Sequence, residues 1–105
     1  MKSNIFLTGF YGSGKTIVGS KVARRLGWRF VDVDEEIVRE AGKSIETIFA
    51  EMGEADFRRL ERQCLAQISQ VDRQVISTGG GIVMDELNRQ AMERSGVVVC
   101  LEALP

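Results

Sequence analysis

Apolar positions in this chain fall into short compact runs and longer helical stripes, and the two kinds alternate. Asn4 to Thr8, centred on Ile5-Phe6-Leu7, reads as a short buried strand. Gly9 to Gly14 is a glycine-rich loop, and Lys15 to Leu26 reads as a helix with Val18, Val22 and Leu26 four apart on one face. Gly27 is placed to end that helix, and Trp28 to Val33 reads as a second strand. Asp34 is an N-cap candidate for a short helix, Glu35 to Ala41, which carries acidic residues in its first turn and is stopped by Gly42. Ser44 can cap a further short helix, Ile45 to Met52, before Gly53 interrupts. A longer helix from about Glu54 to Ser69 repeats Phe57, Leu60, Cys64 and Ile68 at helical spacing. Gln74 to Ser77 is a third strand that runs into Thr78-Gly79-Gly80-Gly81. Asp85 caps a helix ending near Ser95-Gly96, and Val97 to Leu101 is a fourth strand, apolar throughout, as suits a strand covered on both faces. Strands separated by helical segments predict a parallel α/β sheet. The chain stops just after the fourth strand, and a complete protein is not expected to end there.

Composition narrows the class. The chain has 105 residues, enough for one small domain, and 44% of them are hydrophobic. Lys plus Arg is 14 and Asp plus Glu is 15, so the net charge of -1 offers no general field for nucleic acid, and any phosphate site must be local. With no His and two distant cysteines, Cys64 and Cys100, neither a zinc site nor a disulfide framework is expected, and each thiol reads as buried. The opening apolar run is too short for a signal segment or a membrane span, which predicts a cytoplasmic protein.

The strongest chemical signal is Gly9-Phe10-Tyr11-Gly12-Ser13-Gly14-Lys15-Thr16, which fits the P-loop pattern at every required position and lies between a strand and a helix. Gly12, Ser13 and Gly14 let backbone N–H groups converge on a phosphate, and the helix N-terminus adds its positive end. Lys15 can carry a cation to the β- and γ-phosphates, and the Thr16 hydroxyl can ligate Mg²⁺. A P-loop shows nucleotide binding and does not by itself show transfer.

Asp32 and Asp34 flank the end of the second strand, where period-two spacing puts both on one face if the strand continues that far. Two carboxylates at the carboxyl ends of parallel strands can serve Mg²⁺ through water and accept a proton from an attacking hydroxyl. Asp34 also has the simpler reading of a helix cap. Arg58 and Glu61, three apart on a helix near Phe57 and Phe49, are either a carboxylate clamp or an ordinary solvated pair. Gly79-Gly80-Gly81 is either a flexible turn or a place where a ligand or a second backbone passes close.

Taken together these stretches resemble the shikimate kinases: Gly9 to Thr16, Phe30-Val31-Asp32-Val33-Asp34, Ser44-Ile45 through Phe49, Gly53-Glu54 with Phe57-Arg58 and Glu61, and Ser77-Thr78-Gly79-Gly80-Gly81. The resemblance runs through the whole chain in order. It implies a nucleoside-monophosphate-kinase-like P-loop NTPase fold, α/β, with a parallel sheet of order 2-3-1-4-5, and transfer of the ATP γ-phosphate to the 3-hydroxyl of shikimate in aromatic amino acid biosynthesis. It implies that Lys15 stabilises the moving phosphoryl group, and that Thr16 and Asp32 serve Mg²⁺, Asp32 through water. Asp34 would hold the shikimate hydroxyls and act as base. Arg58, oriented by Glu61, would bind the shikimate carboxylate. Gly79, Gly80 and Gly81 would offer N–H groups, and Ile45, Phe49 and Phe57 would line the pocket.

The family's lid arginine, second carboxylate-binding arginine, adenine loop and fifth strand have no counterpart in this sequence, so the chain reads as a truncated P-loop core whose own turnover is in question. The competing readings are another small P-loop kinase, such as a gluconate kinase, and a non-catalytic nucleotide-binding module. Complete family members are often monomeric. With the fifth strand missing, Val97 to Leu101 is expected to be an unprotected edge that recruits a second chain.

Overall fold

The computed structural model describes residues 3–9, 12–79 and 81–101, with residues 12–14 described by backbone alone. Four parallel strands, β1 (Asn4–Gly9), β2 (Arg29–Asp32), β3 (Gln74–Ser77) and β4 (Gly96–Leu101), form one sheet in the order β2-β3-β1-β4. The helices are α1 (Gly12–Leu26), α2 (Val33–Ala41), α3 (Ile45–Ile68) and α4 (Glu86–Ser95), with a short 3₁₀ turn at Ile82–Met84. This is the expected parallel α/β architecture, and the strand order matches the first four strands implied by the resemblance.

Strand register decides which side chains go to which face. Ile5 aligns with Val75 and Phe6 with Ile76, while Phe30 aligns with Val75 and Val31 with Ile76. Phe6, Val31 and Ile76 therefore share one face, and pack there with Val33, Ile37, Ile48, Phe57, Leu65 and Met92 from α2, α3 and α4. Leu7 and Val75 share the other face with Ala23 of α1 and the part-buried Val22, Trp28 and Phe30. Each central strand is thus apolar on both sides, as parallel sheets require.

Several boundaries differ from the sequence reading. The Val18, Val22, Leu26 stripe is not the face α1 buries: Val18 and Leu26 are exposed, and the sheet takes Lys15, Gly19 and Ala23 instead. At Gly19 the Phe30 ring and the Leu7 side chain occupy the place of a Cβ, so the helix can lie this close only with glycine there. The second strand ends at Asp32, which is itself the N-cap of α2, its carboxylate accepting the Glu35 N–H at 3.2 Å. Asp34 lies inside the first turn and does not cap. Starting the helix at Val33 places Val33 and Ile37, one turn apart, in the core at 0% and 2% exposure.

Ser44 caps α3 through Thr47 N–H at 3.2 Å, and Gly53, with non-helical φ 83° and ψ 171°, divides α3 at a kink into two helices where expected. Asp85 caps α4, accepting from Leu87 N–H at 2.8 Å. β4 is not covered on both faces. Among the described residues it pairs only with β1, at the sheet edge, and Val97 is 63% exposed. Cys64 is buried, its thiol pushed up to about 11 by burial, but Cys100, on that open edge strand, is exposed.

Candidate active site

The ends of three neighbouring strands and the start of two helices converge on one small region. β1 ends at Gly9, whose φ of 142° and close approach to the Leu101 carbonyl of β4 leave no room for a side chain. α1 then begins at Gly12, so Lys15 stands in its first turn. Lys15 is only 5% exposed. Its ammonium is satisfied by two main-chain carbonyls at strand ends, donating to Gly9 O at 3.1 Å and Thr78 O at 2.5 Å. Thr78 is fixed in turn: its N–H and its Oγ1–H both donate to Leu7 O, each at 3.0 Å. Thr78 was not singled out in the sequence. The only signal there was a β-branched hydroxyl residue directly before three glycines.

Asp34 reaches the same region from the first turn of α2. A Cβ at Gly79 would lie 3.6 and 3.7 Å from its two carboxylate oxygens, which places the carboxylate against the loop that follows β3. Asp34 is exposed as a whole residue, yet partial desolvation of its carboxyl against the protein pushes it above its ordinary value, and the nearby Asp32 charge adds to that. The charges of Lys15 and Arg58 oppose the shift. An acid with a raised pKa at the mouth of a phosphate loop has the character of a proton acceptor.

Arg58 projects from α3, and its Nη1 donates to both Glu61 oxygens at 3.0 and 3.2 Å. Glu61 is almost fully buried, and burial raises its pKa against the pull of Arg58. The clamp reading and the surface-pair reading differ on this point, because a solvated helix pair would leave Glu61 in water. The guanidinium also lies 5.4 Å from the Phe57 ring centroid, and Phe57 stacks on Phe49 at 4.6 Å. At Gly81 any Cβ would run into the Arg58 guanidinium. An open cleft of about 590 Å³ adjoins this group, lined by Glu54, Arg58, Arg62, Gly81, Met84 and Asp85. Arg62 donates through Nε and Nη2 to Asp85 Oδ2 at 3.1 and 2.7 Å, a cross-link between α3 and α4 that the sequence reading missed because its partners are far apart in the chain.

The structure therefore brings together Lys15, Asp32, Asp34, Arg58, Glu61, Gly79 and Gly81, with Phe49 and Phe57 behind Arg58 and Ile45 packed on the core beneath. Thr16 is exposed in the first turn of α1. Gly80, Phe10 and Tyr11 lie outside the described residues, as do the side chains at 12–14. The hard oxygens of Thr16 and Asp32 suit Mg²⁺, and the Glu35 N–H occupies one Asp32 oxygen. Among the described residues there is no group of three or more His, Cys, Asp or Glu that could hold a metal ion.

Known proteins share this fold and much of this sequence. The family model "Shikimate kinase" matches residues 11–105. A shikimate kinase of Thermodesulfovibrio yellowstonii is 47% identical over 100 residues, covering 95% of this chain and 58% of its own length. One from Symbiobacterium thermophilum is 48% identical over 102 residues, covering 97% and 59%. Among solved structures, shikimate kinase from Acinetobacter baumannii in complex with shikimate superposes with a TM-score of 0.93 at 38% identity, covering 99% of this chain and 58% of that one. The Aquifex aeolicus enzyme gives 0.90 at 43% identity, covering 97% and 60%. The chain thus spans about three fifths of the length of these relatives. A family match over nearly the whole chain and close superposition on solved members agree with the P-loop kinase fold, and the chain belongs to the shikimate kinase family.

Proposed function

We propose that this polypeptide is the phosphate-loop and acid-binding part of an ATP:shikimate 3-phosphotransferase. The observation that carries the reading is the placement of the Asp34 carboxylate against Gly79 and within the fields of Lys15 and Arg58. Asp34 takes the proton of the 3-hydroxyl as the hydroxyl oxygen bonds to the γ-phosphorus, and the bond from that phosphorus to the β–γ bridging oxygen breaks to release ADP. Lys15 neutralises charge on the transferring group, with the backbone of Gly12 to Thr16 around the phosphates. Arg58, locked by Glu61, holds the shikimate carboxylate with a planar fork, and Gly79, Gly80 and Gly81 let the backbone approach. Phe49, Phe57 and Ile45 supply the apolar wall. Thr16 and, through water, Asp32 would hold Mg²⁺, which supplies charge neutralisation at the phosphates.

The partners are the small molecules ATP and shikimate. The near-zero net charge argues against nucleic acid, and no described helix is long and apolar enough to cross a membrane. A cytoplasmic location and a single P-loop core domain over residues 1–105 complete the reading. A coupled assay of ADP formation with ATP, Mg²⁺ and shikimate tests it. Shikimate-dependent ADP release that is lost in Asp34→Asn is expected of a full-length family member carrying this segment. Release driven by gluconate and not by shikimate would assign another small kinase, and nucleotide binding without phosphorylation would leave a binding module.

The open β4 edge supports a second element of the proposal. Val97, Val98 and Val99 are exposed at 63%, 38% and 38%. An apolar edge strand without charge or proline pairs readily with another chain, so self-association through residues 97–101 is expected.

A further inference from the structure

Lys15 has a resting place that the phosphate-transfer scheme does not use. A nearly buried ammonium without partners would be strongly disfavoured, and here two of its protons go to the Gly9 and Thr78 carbonyls. Gly9 ends β1, and Thr78 directly follows β3, so the cradle spans two neighbouring strands. Two bonds to one acceptor anchor the residue that carries the second carbonyl. The β1–β3 ladder closes at Leu7 and Ser77. One residue further on, the Thr78 amide and hydroxyl both donate to Leu7 O. Thr78 itself is 1% exposed. Directly after it come three glycines, whose backbone freedom would otherwise let that carbonyl wander.

We infer that Thr78 is a positioning residue for Lys15: its anchored carbonyl docks the ammonium in the nucleotide-free chain, and an incoming phosphate has to draw the ammonium off it. The inference rests on the phosphate-loop reading and adds to it a resting state with a specific partner. A neutral carbonyl is a weaker partner for an ammonium than a phosphate anion, so the transfer is downhill once nucleotide arrives. The docking contact stabilises only the empty state. It therefore opposes nucleotide binding, and weakening it tightens binding. A purely structural role for Thr78 has the opposite sign, because loosening the strand end would weaken binding.

The test is nuclear magnetic resonance of the Lys15 ammonium and of the Thr78 carbonyl carbon in this chain, with ADP and Mg²⁺ as the probe. Without nucleotide, the Lys15 ammonium protons are expected to exchange slowly with water, and fast exchange overturns the inference. At saturating ADP and Mg²⁺ both the Lys15 nitrogen and the Thr78 carbonyl carbon shift, while the Leu7 carbonyl stays. A Thr78 carbonyl that stays fixed while Lys15 responds overturns the inference and leaves the phosphate loop standing. A Lys15 that ignores nucleotide in a chain that shows slow ammonium exchange sinks the phosphate-loop reading instead, and with it the release half of the inference. Thr78→Val, which keeps the shape and removes the hydroxyl, is expected to speed ammonium exchange and tighten ADP binding roughly 3- to 10-fold, the scale of one charge-assisted hydrogen bond partly lost. Thr78→Ser restores the parental values. Weaker ADP binding in the Val variant, or parental ammonium exchange, overturns the inference. Should the Val variant not fold, the parental carbonyl measurement decides by itself.

Discussion

Gly81→Ala tests the acid clamp through a single methyl group. Gly81 has φ -76° and ψ -20°, a conformation any residue adopts, so the backbone does not oppose the change. By itself the substitution would stabilise the fold by about 0.4–1 kcal/mol through the unfolded chain. The new Cβ, however, would stand 2.7 Å from Cζ and Nη2 of Arg58, and closer still to Nη1. A relaxed contact is about 3.5 Å or more, so the guanidinium must retreat by roughly 1 Å. Arg58 is at the end of a long side chain and about a third exposed, so it can move and the fold survives. The retreat strains its paired bonds to Glu61 at 3.0 and 3.2 Å and spoils a bidentate grip on a carboxylate. Losing one charge-assisted hydrogen bond of such a pair is worth about 1.5–3 kcal/mol, or roughly 10- to 100-fold in shikimate affinity. Calorimetric titration with shikimate should show that loss, with ADP affinity within about twofold of the parent and no drop in melting temperature. Parental shikimate affinity in the Ala variant would refute the clamp, and a loss of ADP affinity of equal size would mean that the change had spread through the site.

Other outcomes follow from the same geometry. In a full-length family member carrying this segment, Lys15→Met should abolish turnover, since a point charge on the moving phosphoryl group is worth several kcal/mol; turnover near the parental rate in the coupled assay would rule out the assigned role. Asp34→Asn should remove turnover and leave ATP affinity near parental. Because the native Asp34 pKa is raised, the carboxylate form destabilises the fold at neutral pH, and stability falls as pH rises through the window from the ordinary value of 3.8 up to the raised one. The Asn variant should therefore melt higher at pH 7 and show a flatter stability profile across that window, while the parent's activity falls on the acid side as Asp34 becomes protonated above 3.8. Arg58→Lys should weaken shikimate binding although charge is kept, and a parental-like affinity would return the residue to a surface pair. Val97→Lys, at a position already 63% exposed, should leave the monomer's stability unchanged and reduce self-association in size-exclusion chromatography with light scattering.

What the sequence determined by itself was everything set by local chemistry. The P-loop between a strand and a helix, the Ser44 and Asp85 caps, the break at Gly53 and the alternation that makes a parallel sheet all depend on residues within a few positions of one another. The convergence of Asp34, Arg58, Glu61 and the glycine run was legible only through the resemblance, because no periodicity says that α2, α3 and the loop after β3 meet. Tertiary structure decided the rest. Asp32 caps α2 and Asp34 does not, because a start at Val33 sends Val33 and Ile37 into the core, and core burial outweighs the capping pattern. α1 presents Lys15, Gly19 and Ala23 to the sheet and leaves Val18 and Leu26 outside, because Phe30 and Leu7 need the room that only a glycine gives. Cys100 and the β4 valines are exposed for a topological reason: an apolar run says that a strand can be buried, and only its place in the sheet order says whether anything covers it. The partnership of Lys15 with Thr78 is of the same kind, a contact across 63 residues that exists only because β1 and β3 are neighbours.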